Sequence, residues 1–208
     1  MNLKSENIAL FKLLSLLSLV CLVRSQVTPP RPVTLHPMKL HVDLTRLENI
    51  KLESNGAELY RVFAGIIIPG VLKHIEETIY VKTDGYTTLR DIGCSTIDQI
   101  GEYFNLEVQA DLVIFFRYVN KLDGSVASAI SCQVDPVTKR PIAGLVNINI
   151  HSMGNVQQGY RSAHFMTILH EIYHVLGFTN NYYDKYRDGG GVTRPISDVY
   201  KKLTSGKF

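Results

Sequence analysis

Long apolar runs, runs of like charge and internal repeats are missing from most of this 208-residue sequence. Beyond residue 25, no apolar stretch reaches the roughly 18 residues that a membrane-spanning helix needs, which disfavours a spanning role. The chain has no basic stripe, which argues against nucleic-acid binding. With 45% hydrophobic and 20% charged residues and a formal charge of +3, the composition is typical of a soluble globular protein with one domain.

The first 25 residues form the one strongly apolar segment. Lys4 and Lys12 precede an apolar run over residues 13–23 that is too short to cross a bilayer, and Arg24 follows it. This order is typical of a cleaved secretory signal peptide, with a retained N-terminal anchor helix as the alternative. We therefore expect a secreted protein, either free outside the cell or associated with the cell surface or membrane. Cleavage after residue 25 would remove three positive charges and one negative charge, which leaves a net charge of +1.

Cysteine is scarce, and its few positions carry information about redox state. The sequence has three cysteines, and Cys21 belongs to the predicted signal segment. In an oxidising compartment we expect the remaining two, Cys94 and Cys132, to form a disulfide. Closing that loop would stabilise the fold by on the order of 3 to 4 kcal/mol. In a cytosolic chain, two free buried thiols would be the better interpretation.

The first half of the chain predicts an extended lead-in, a strand and a long helix. Residues 26–37 contain four prolines between Pro29 and Pro37, so we expect an extended segment that forms neither ladder nor helix, with ordered structure starting after it. Residues 38–48 alternate apolar and polar side chains, which favours a half-buried strand. Apolar residues then recur at spacings of three and four over residues 59–81, which predicts a helix. Pro69-Gly70 should kink or break it.

The second half predicts three strands and a second helix. Residues 110–119 form a dense β-branched and aromatic run suited to a strand that is buried on both faces. Residues 128–134 and 142–150 predict two more strands, joined by a proline-containing turn. Residues 161–176 return to helical spacing, with an apolar stripe made by Phe165, Met166, Leu169, Ile172, Tyr173 and Leu176. Residues 196–203 could add a turn or two of helix. The order of elements predicts an α/β or α+β sheet with a long helix behind it.

The second helix carries the clearest chemical pattern, in the stretch TILHEIYHVLGF. His170 and His174 are four residues apart, so they lie on one face of a helix and can direct two imidazole nitrogens at one point. Zinc prefers nitrogen donors, and a catalytic zinc keeps one position for water. Glu171 is placed to accept the proton of that water as a general base. Gly177 supplies the permissive backbone that ends such a helix sharply.

A plain amphipathic helix with histidines on its polar face is the alternative to a metal site. The other histidines carry weaker signals. His164 is about 120° around the helix from His170, which predicts a surface or core contact rather than a ligand. His151 follows the end of a strand and could approach a site, although its spacing does not indicate one.

The third zinc ligand has no obvious candidate. Six residues after the second histidine, where many related enzymes place a third, the sequence has Asn180, which is a poor zinc ligand. Asp184, Asp188 and Asp198 are oxygen donors further along. Other zinc enzymes take an acidic third ligand from a following helix. A glycine turn after the second histidine, however, is typical of enzymes whose third ligand is a histidine.

Together the segments ADLVIFFRYV, SCQVDPVTKRPIAGLVNINI and TILHEIYHVLGF, in this order and spacing, resemble the leishmanolysin family of secreted or membrane-anchored zinc endopeptidases. The resemblance covers about residues 58 to 190. It implies an α+β, metzincin-like catalytic subdomain over residues 38–208, with a mixed sheet, a backing helix and an active-site helix. It also implies Zn²⁺ as cofactor, His170 and His174 as ligands, Glu171 as general base, and a disulfide between Cys94 and Cys132.

The same resemblance implies parts that this sequence lacks. In that family the third histidine follows a long insertion, and a methionine-containing turn lies beneath the metal. Here no histidine follows His174 and no methionine follows Met166, so we expect the C-terminal subdomain and the third ligand to lie outside these 208 residues. Residues 26–93 also hold no cysteine, which gives no support to latency through a propeptide cysteine.

Two hypotheses follow from the sequence. The first is a zinc metalloendopeptidase that cleaves peptide bonds in extracellular or surface proteins, with protein or peptide substrates and no nucleic acid. The second is a truncated, catalytically inactive relative, such as a fragment or a secreted binding or adhesion protein, whose two-histidine site holds zinc poorly. Loss of a ligand should weaken metal binding or activity by at least the roughly 10- to 100-fold seen when supporting residues are lost.

Overall fold

The computed structural model describes residues 30–90, 94, 105, 107–187 and 192–199. The chain divides into two compact units, residues 1–32 and 33–208. The predicted signal segment, residues 1–25, lies outside the described residues, and so does the end of the segment predicted over residues 196–203.

The described elements follow the order of two strands, a helical region, six strands and a second helical region. The strands are β1 (Thr34–Pro37), β2 (Leu40–Asp43), β3 (Tyr80–Thr83), β4 (Thr87–Thr88), β5 (Glu107–Val108), β6 (Leu112–Val119), β7 (Ala127–Val134) and β8 (Pro141–Asn149). The α-helices are α1 (Gly56–Val62), α2 (Ile68–Thr78), α3 (Ile150–Met153), α4 (Arg161–Val175) and α5 (Ile196–Val199). Short 3₁₀ turns cover Glu48–Leu52, Gln158–Tyr160 and Asn180–Lys185. This combination confirms the α+β prediction.

Four strands form the main sheet, in the order β2-β6-β8-β7. The β2/β6 and β6/β8 pairs are parallel, whereas β7 runs antiparallel to β8. The sheet is therefore twisted and mixed, as predicted. Within the described part of the chain, β7 is an edge strand with one side unpaired.

Strand β6 is buried on both faces, as its composition predicts. Its alternate residues contribute to two different apolar clusters, because successive side chains of a strand point to opposite faces. Leu112, Ile114 and Phe116 join the larger cluster, which also holds the buried faces of the helices. Val113 and Phe115 join a smaller cluster on the other side of the sheet, which includes Cys94 and Cys132.

The backing helix is continuous across the proline that should disturb it. A π-helical segment, Phe63–Ile67, joins α1 to α2 without a non-helical residue. Pro69 lies at the start of α2, directly after this segment. Proline has no N–H and its ring crowds the carbonyl four residues earlier, so the wider π turn accommodates it. The sequence predicted that Pro69-Gly70 would kink or break the helix. The structure shows instead a local change from the α-helical to the π-helical hydrogen-bond pattern just before the proline.

The proline-rich lead-in departs from its prediction. Residues 34–37 form β1, which pairs antiparallel with β3 in a two-stranded sheet from Thr34 opposite Thr83 to Pro37 opposite Tyr80. The prediction that no ladder forms before residue 38 was wrong. Proline is tolerated at the margin of a ladder, where its missing N–H leaves no bond unmade. His36 adds a side-chain contact, since its Nε2 lies 3.0 Å from the Thr83 hydroxyl.

A disulfide joins the two cysteines that the sequence pairs. Cys94 and Cys132 are bonded, 38 residues apart in sequence. Cys132 lies at a register shift in β7, between Ser131 and Gln133. The bond therefore fastens Cys94 to the edge strand of the main sheet.

Among the described residues, no helix is both long enough and apolar enough to cross a membrane.

Candidate metal centre and active site

Helix α4 is held against the sheet by a buried stripe that differs at three positions from the predicted one. Ile168, Leu169, Ile172 and Val175 are all buried, and they pack between α4 and the sheet. Met166, which the spacing assigned to the stripe, is 60% exposed. The predicted stripe was therefore wrong at one edge: Ile168 and Val175 belong in it, and Met166 does not.

A glycine turn ends α4 and reverses the chain. Gly177 has a φ of +100°, which glycine adopts at little steric cost. Its N–H bonds to the His174 carbonyl at 3.1 Å, and the Phe178 N–H bonds to the Tyr173 carbonyl at 3.0 Å. These two bonds, with the Tyr173 and Phe178 rings 5.5 Å apart, form a Schellman motif with its usual hydrophobic contact. The predicted helix end at Gly177 is confirmed.

The turn brings a backbone carbonyl back to the second histidine. His174 Nδ1 lies 2.9 Å from the Phe178 oxygen. A carbonyl oxygen only accepts, so Nδ1 carries the hydrogen and donates it, which leaves Nε2 with a free lone pair. Metal-ligating histidines use this kind of contact to fix their tautomer and orientation. Sequence analysis did not predict this contact with Phe178. The sequence does indicate the Schellman motif, because an apolar residue follows Gly177 and an aromatic residue stands at position 173.

The two histidines are neighbours, as the spacing predicts. The ring centroids of His170 and His174 lie 4.5 Å apart, with their planes at 83°. His170 is exposed and His174 is half-buried. Two accessible imidazoles on one helix face are the chemical requirement for two ligands of a zinc ion. Their role as ligands remains a prediction.

Glu171 lies between them in sequence and is buried, with 8% of its surface exposed. Burial raises the pKa of its carboxyl group, and the nearby His174 and His170 lower it. A buried carboxylate with a raised pKa beside two histidines is suited to exchange protons, which is the role predicted for Glu171.

The remaining histidines do not join the pair. His164 is buried, and its Nε2 donates to the Asn155 carbonyl at 2.6 Å, while its ring packs near Phe63. Of the two predicted alternatives, a surface or a core contact, the structure shows the core contact. His151 is exposed on α3.

No third ligand is present in the described part of the chain. No group of three or more histidine, cysteine, aspartate or glutamate side chains there is arranged to hold a metal ion. Asp184 pairs instead with Lys185, with a nitrogen–oxygen distance of 2.7 Å. Asp198 lines a separate cleft, and Asp188 lies outside the described residues. The donor set present thus fits two of the three protein ligands of a catalytic zinc.

An open cleft of about 770 Å³ lies between His174 and the edge strand β7. Ile130, Ser131 and Val134 line it from the strand side, and Thr179 and Tyr182 line it from the chain after α4. The Ser131 hydroxyl has no hydrogen-bond partner, the only buried side-chain polar atom of that kind in the described ranges. Ile130 is 53% exposed. A free strand edge and an exposed apolar side chain in the cleft that His174 also lines can receive an extended peptide.

Comparison with known proteins decides the family. The family model for leishmanolysin matches residues 65–201, which include β6, β7, β8 and all of α4. The chain belongs to the leishmanolysin family. It is also similar to a leishmanolysin-like peptidase of Drosophila melanogaster, with 36% identity over 83 residues. Those residues are 40% of this chain and 11% of the fly protein.

Membership of the leishmanolysin family confirms the resemblance that the sequence motifs indicate. The family consists of metallopeptidases, so its members act on proteins or peptides. The match includes His170, Glu171 and His174, whose individual roles are the subject of the proposal below.

Proposed function

We propose that the chain is the catalytic part of a zinc-dependent endopeptidase that hydrolyses peptide bonds in extracellular or surface proteins. The observation that carries the proposal is the contact from His174 Nδ1 to the Phe178 carbonyl, at 2.9 Å. It fixes the tautomer that presents Nε2 on the same helix face as His170. A helix that merely exposed two histidines to water would not need this contact.

His170 and His174 would hold the metal through their ring nitrogens. Zinc, when bound, supplies Lewis acidity toward the peptide carbonyl and lowers the pKa of a water molecule. Glu171 would accept the proton of the attacking water and pass it to the leaving amine, because it sits beside both histidines and its pKa is raised by burial.

The substrate would lie in the cleft between β7 and His174. An extended peptide can bond to the unpaired side of an edge strand through its main chain, which holds it without regard to its sequence. Ile130, which is exposed in this cleft, would contact an apolar side chain of the peptide. Secretion follows from the predicted signal peptide and is part of the proposal.

Metal content and proteolysis test the proposal together. We expect one zinc per chain, cleavage of fluorescent casein, and loss of cleavage with a chelator. Glu171→Gln should keep the zinc and lose cleavage by about 100-fold or more, since general base catalysis contributes roughly that much. Glu76→Gln is the matched control, because Glu76 is exposed on α2, away from the cleft. If Glu171→Gln cleaves as well as the control, the assigned role is wrong.

A further inference from the structure

A second cleft, of about 490 Å³, adjoins the one beside His174. Lys139, Tyr182 and Lys185 line both clefts, so they form the wall between them. The second cleft has an excess of positive charge, with five basic side chains and one acidic one: Lys139, Arg140, Lys185, Arg187, Arg194 and Asp198.

Two of the five cations are already compensated. Arg140 is enclosed: burial lowers its pKa, while the charges of Asp111, Asp135 and Asp84 raise it. Its guanidinium donates to the Asp111 carbonyl at 2.6 Å. Lys185 pairs with Asp184. Neither cation requires a ligand to balance its charge.

The other three cations of the lining form no ion pair with an acidic side chain of the described residues. Lys139 Nζ donates to the Pro136 carbonyl at 2.7 Å, which satisfies one hydrogen but leaves its charge uncompensated. Arg187 and Arg194 are exposed, and no ion pair joins either to an acidic residue within the described ranges. Asp198 is the single acid in the lining, so the cleft attracts anions.

The backbone holds the two arginines next to the turn that ends α4. Arg187 forms an antiparallel bridge with Thr193, and the Arg194 N–H donates to the Tyr186 carbonyl at 2.7 Å. The Tyr186 hydroxyl donates in turn to the Gly177 carbonyl at 2.9 Å. The position of the basic cleft is thereby tied to the turn that orients His174.

We propose that this basic cleft binds acidic side chains of the peptide substrate where the peptide extends past Tyr182 from the cleft beside His174. The inference rests on the proposed peptidase function, since it takes the occupant of the first cleft to be a peptide. The shared wall places the two clefts side by side, so one extended chain could reach from the first into the second. Arginine binds carboxylates through two parallel hydrogen bonds, so glutamate and aspartate are the side chains that Arg187 and Arg194 would select.

Binding rather than cleavage tests this inference most cleanly. The assay measures fluorescence anisotropy of labelled peptides on the Glu171→Gln protein, which should bind without cleaving. The peptides form a series in which a Glu-Glu pair moves along one neutral sequence, each with a Gln-Gln partner. At low salt we expect the best-placed Glu-Glu peptide to bind roughly threefold to tenfold more tightly than its partner, the range that two exposed ion pairs give. Salt should reduce that ratio.

Two double variants assign the effect to the cleft. Arg187→Gln with Arg194→Gln should abolish the preference for glutamate. Lys82→Gln with Lys121→Gln removes the same charge from exposed positions that line neither cleft, and it should keep the preference. Equal binding of both peptide types at every position, or equal loss in both double variants, overturns the inference.

The outcome also separates this inference from the proposed function. Normal casein cleavage without any preference for acidic peptides refutes only the basic cleft. An arginine-dependent preference in a chain that binds zinc but cleaves nothing refutes only the peptidase function.

Discussion

Gly144 determines how closely α4 approaches the sheet, and its replacement by alanine gives a worked prediction. A Cβ at this position would lie 2.2 and 2.7 Å from the two methyl carbons of Val175 and 3.0 Å from its Cβ. Carbon atoms in contact lie about 3.5 to 4.0 Å apart, so the helix must withdraw by more than an ångström. Val175 follows His174 directly, so the second histidine would move with it.

The expected loss follows from overpacking. Forcing one extra methyl group into a packed core costs about 1 to 3 kcal/mol in the free energy of unfolding. For a chain of this size, a loss of about 2 kcal/mol lowers the melting temperature by roughly 4 to 8 °C. Thermal unfolding followed by circular dichroism measures this. Gly65→Ala is the matched control, because a Cβ there meets nothing within 4 Å, and it should be neutral or slightly stabilising.

A double variant tests the reasoning itself. Val175→Ala alone should cost about 2 kcal/mol through lost burial and a cavity. In the double variant, Val175→Ala removes the two carbons that lie closest to the new alanine at position 144. The double variant should therefore lose much less free energy of unfolding than the sum of the two single losses. If Gly144→Ala is as stable as the wild type, or if the two losses simply add, the proposed contact does not limit the approach of the helix.

Three further predictions concern stability. Replacing Cys94 and Cys132 by serine should lower the free energy of unfolding by about 2 to 5 kcal/mol, measured by urea unfolding; an unchanged midpoint would contradict a structural role for the disulfide. Tyr186→Phe should cost about 1 kcal/mol by leaving the Gly177 carbonyl without its hydroxyl donor, and a melting temperature equal to that of the wild type would refute this. Burial raises the pKa of Asp135, but hydrogen bonds from Thr138 and Val137 together lower it by more, so the pKa is lowered overall. The stability that Asp135 contributes is therefore present above the unfolded pKa near 3.8 and is lost as the pH falls through the lower folded value. In Asp135→Asn, the free energy of unfolding should fall less steeply as the pH is lowered. Identical dependence on pH in the variant and the wild type would contradict this prediction.

Local patterns predicted the parts of the fold that depend on neighbouring residues. The periodicity of residues 161–176 placed α4 within one residue of its observed end at Val175, because a helix fixes the spacing of its own faces. The run over residues 110–119 likewise predicted β6, which is buried on both faces. The pairing of His170 with His174 needed only the helical repeat.

Contacts between distant segments could not be predicted in this way. The ladder between β1 and β3 joins residues 43 to 49 positions apart, and nothing within residues 26–37 indicates that partner. Met166 was wrongly assigned to the apolar stripe of α4, because hydrophobicity alone does not show which edge of a stripe faces the sheet. The basic cleft assembles from residues 138–141, 176–187 and 194–199, so its charge is invisible to a scan for basic runs.

Nitrogen-15 chemical shifts of the histidine rings during a zinc titration test the central claim most directly. The account predicts that His174 Nε2 and one ring nitrogen of His170 shift together and saturate at one zinc per chain, while His174 Nδ1 keeps its hydrogen and its bond to the Phe178 carbonyl. Ring nitrogens that stay unchanged at stoichiometric zinc, or a His174 Nδ1 that loses its hydrogen to the metal, would contradict it.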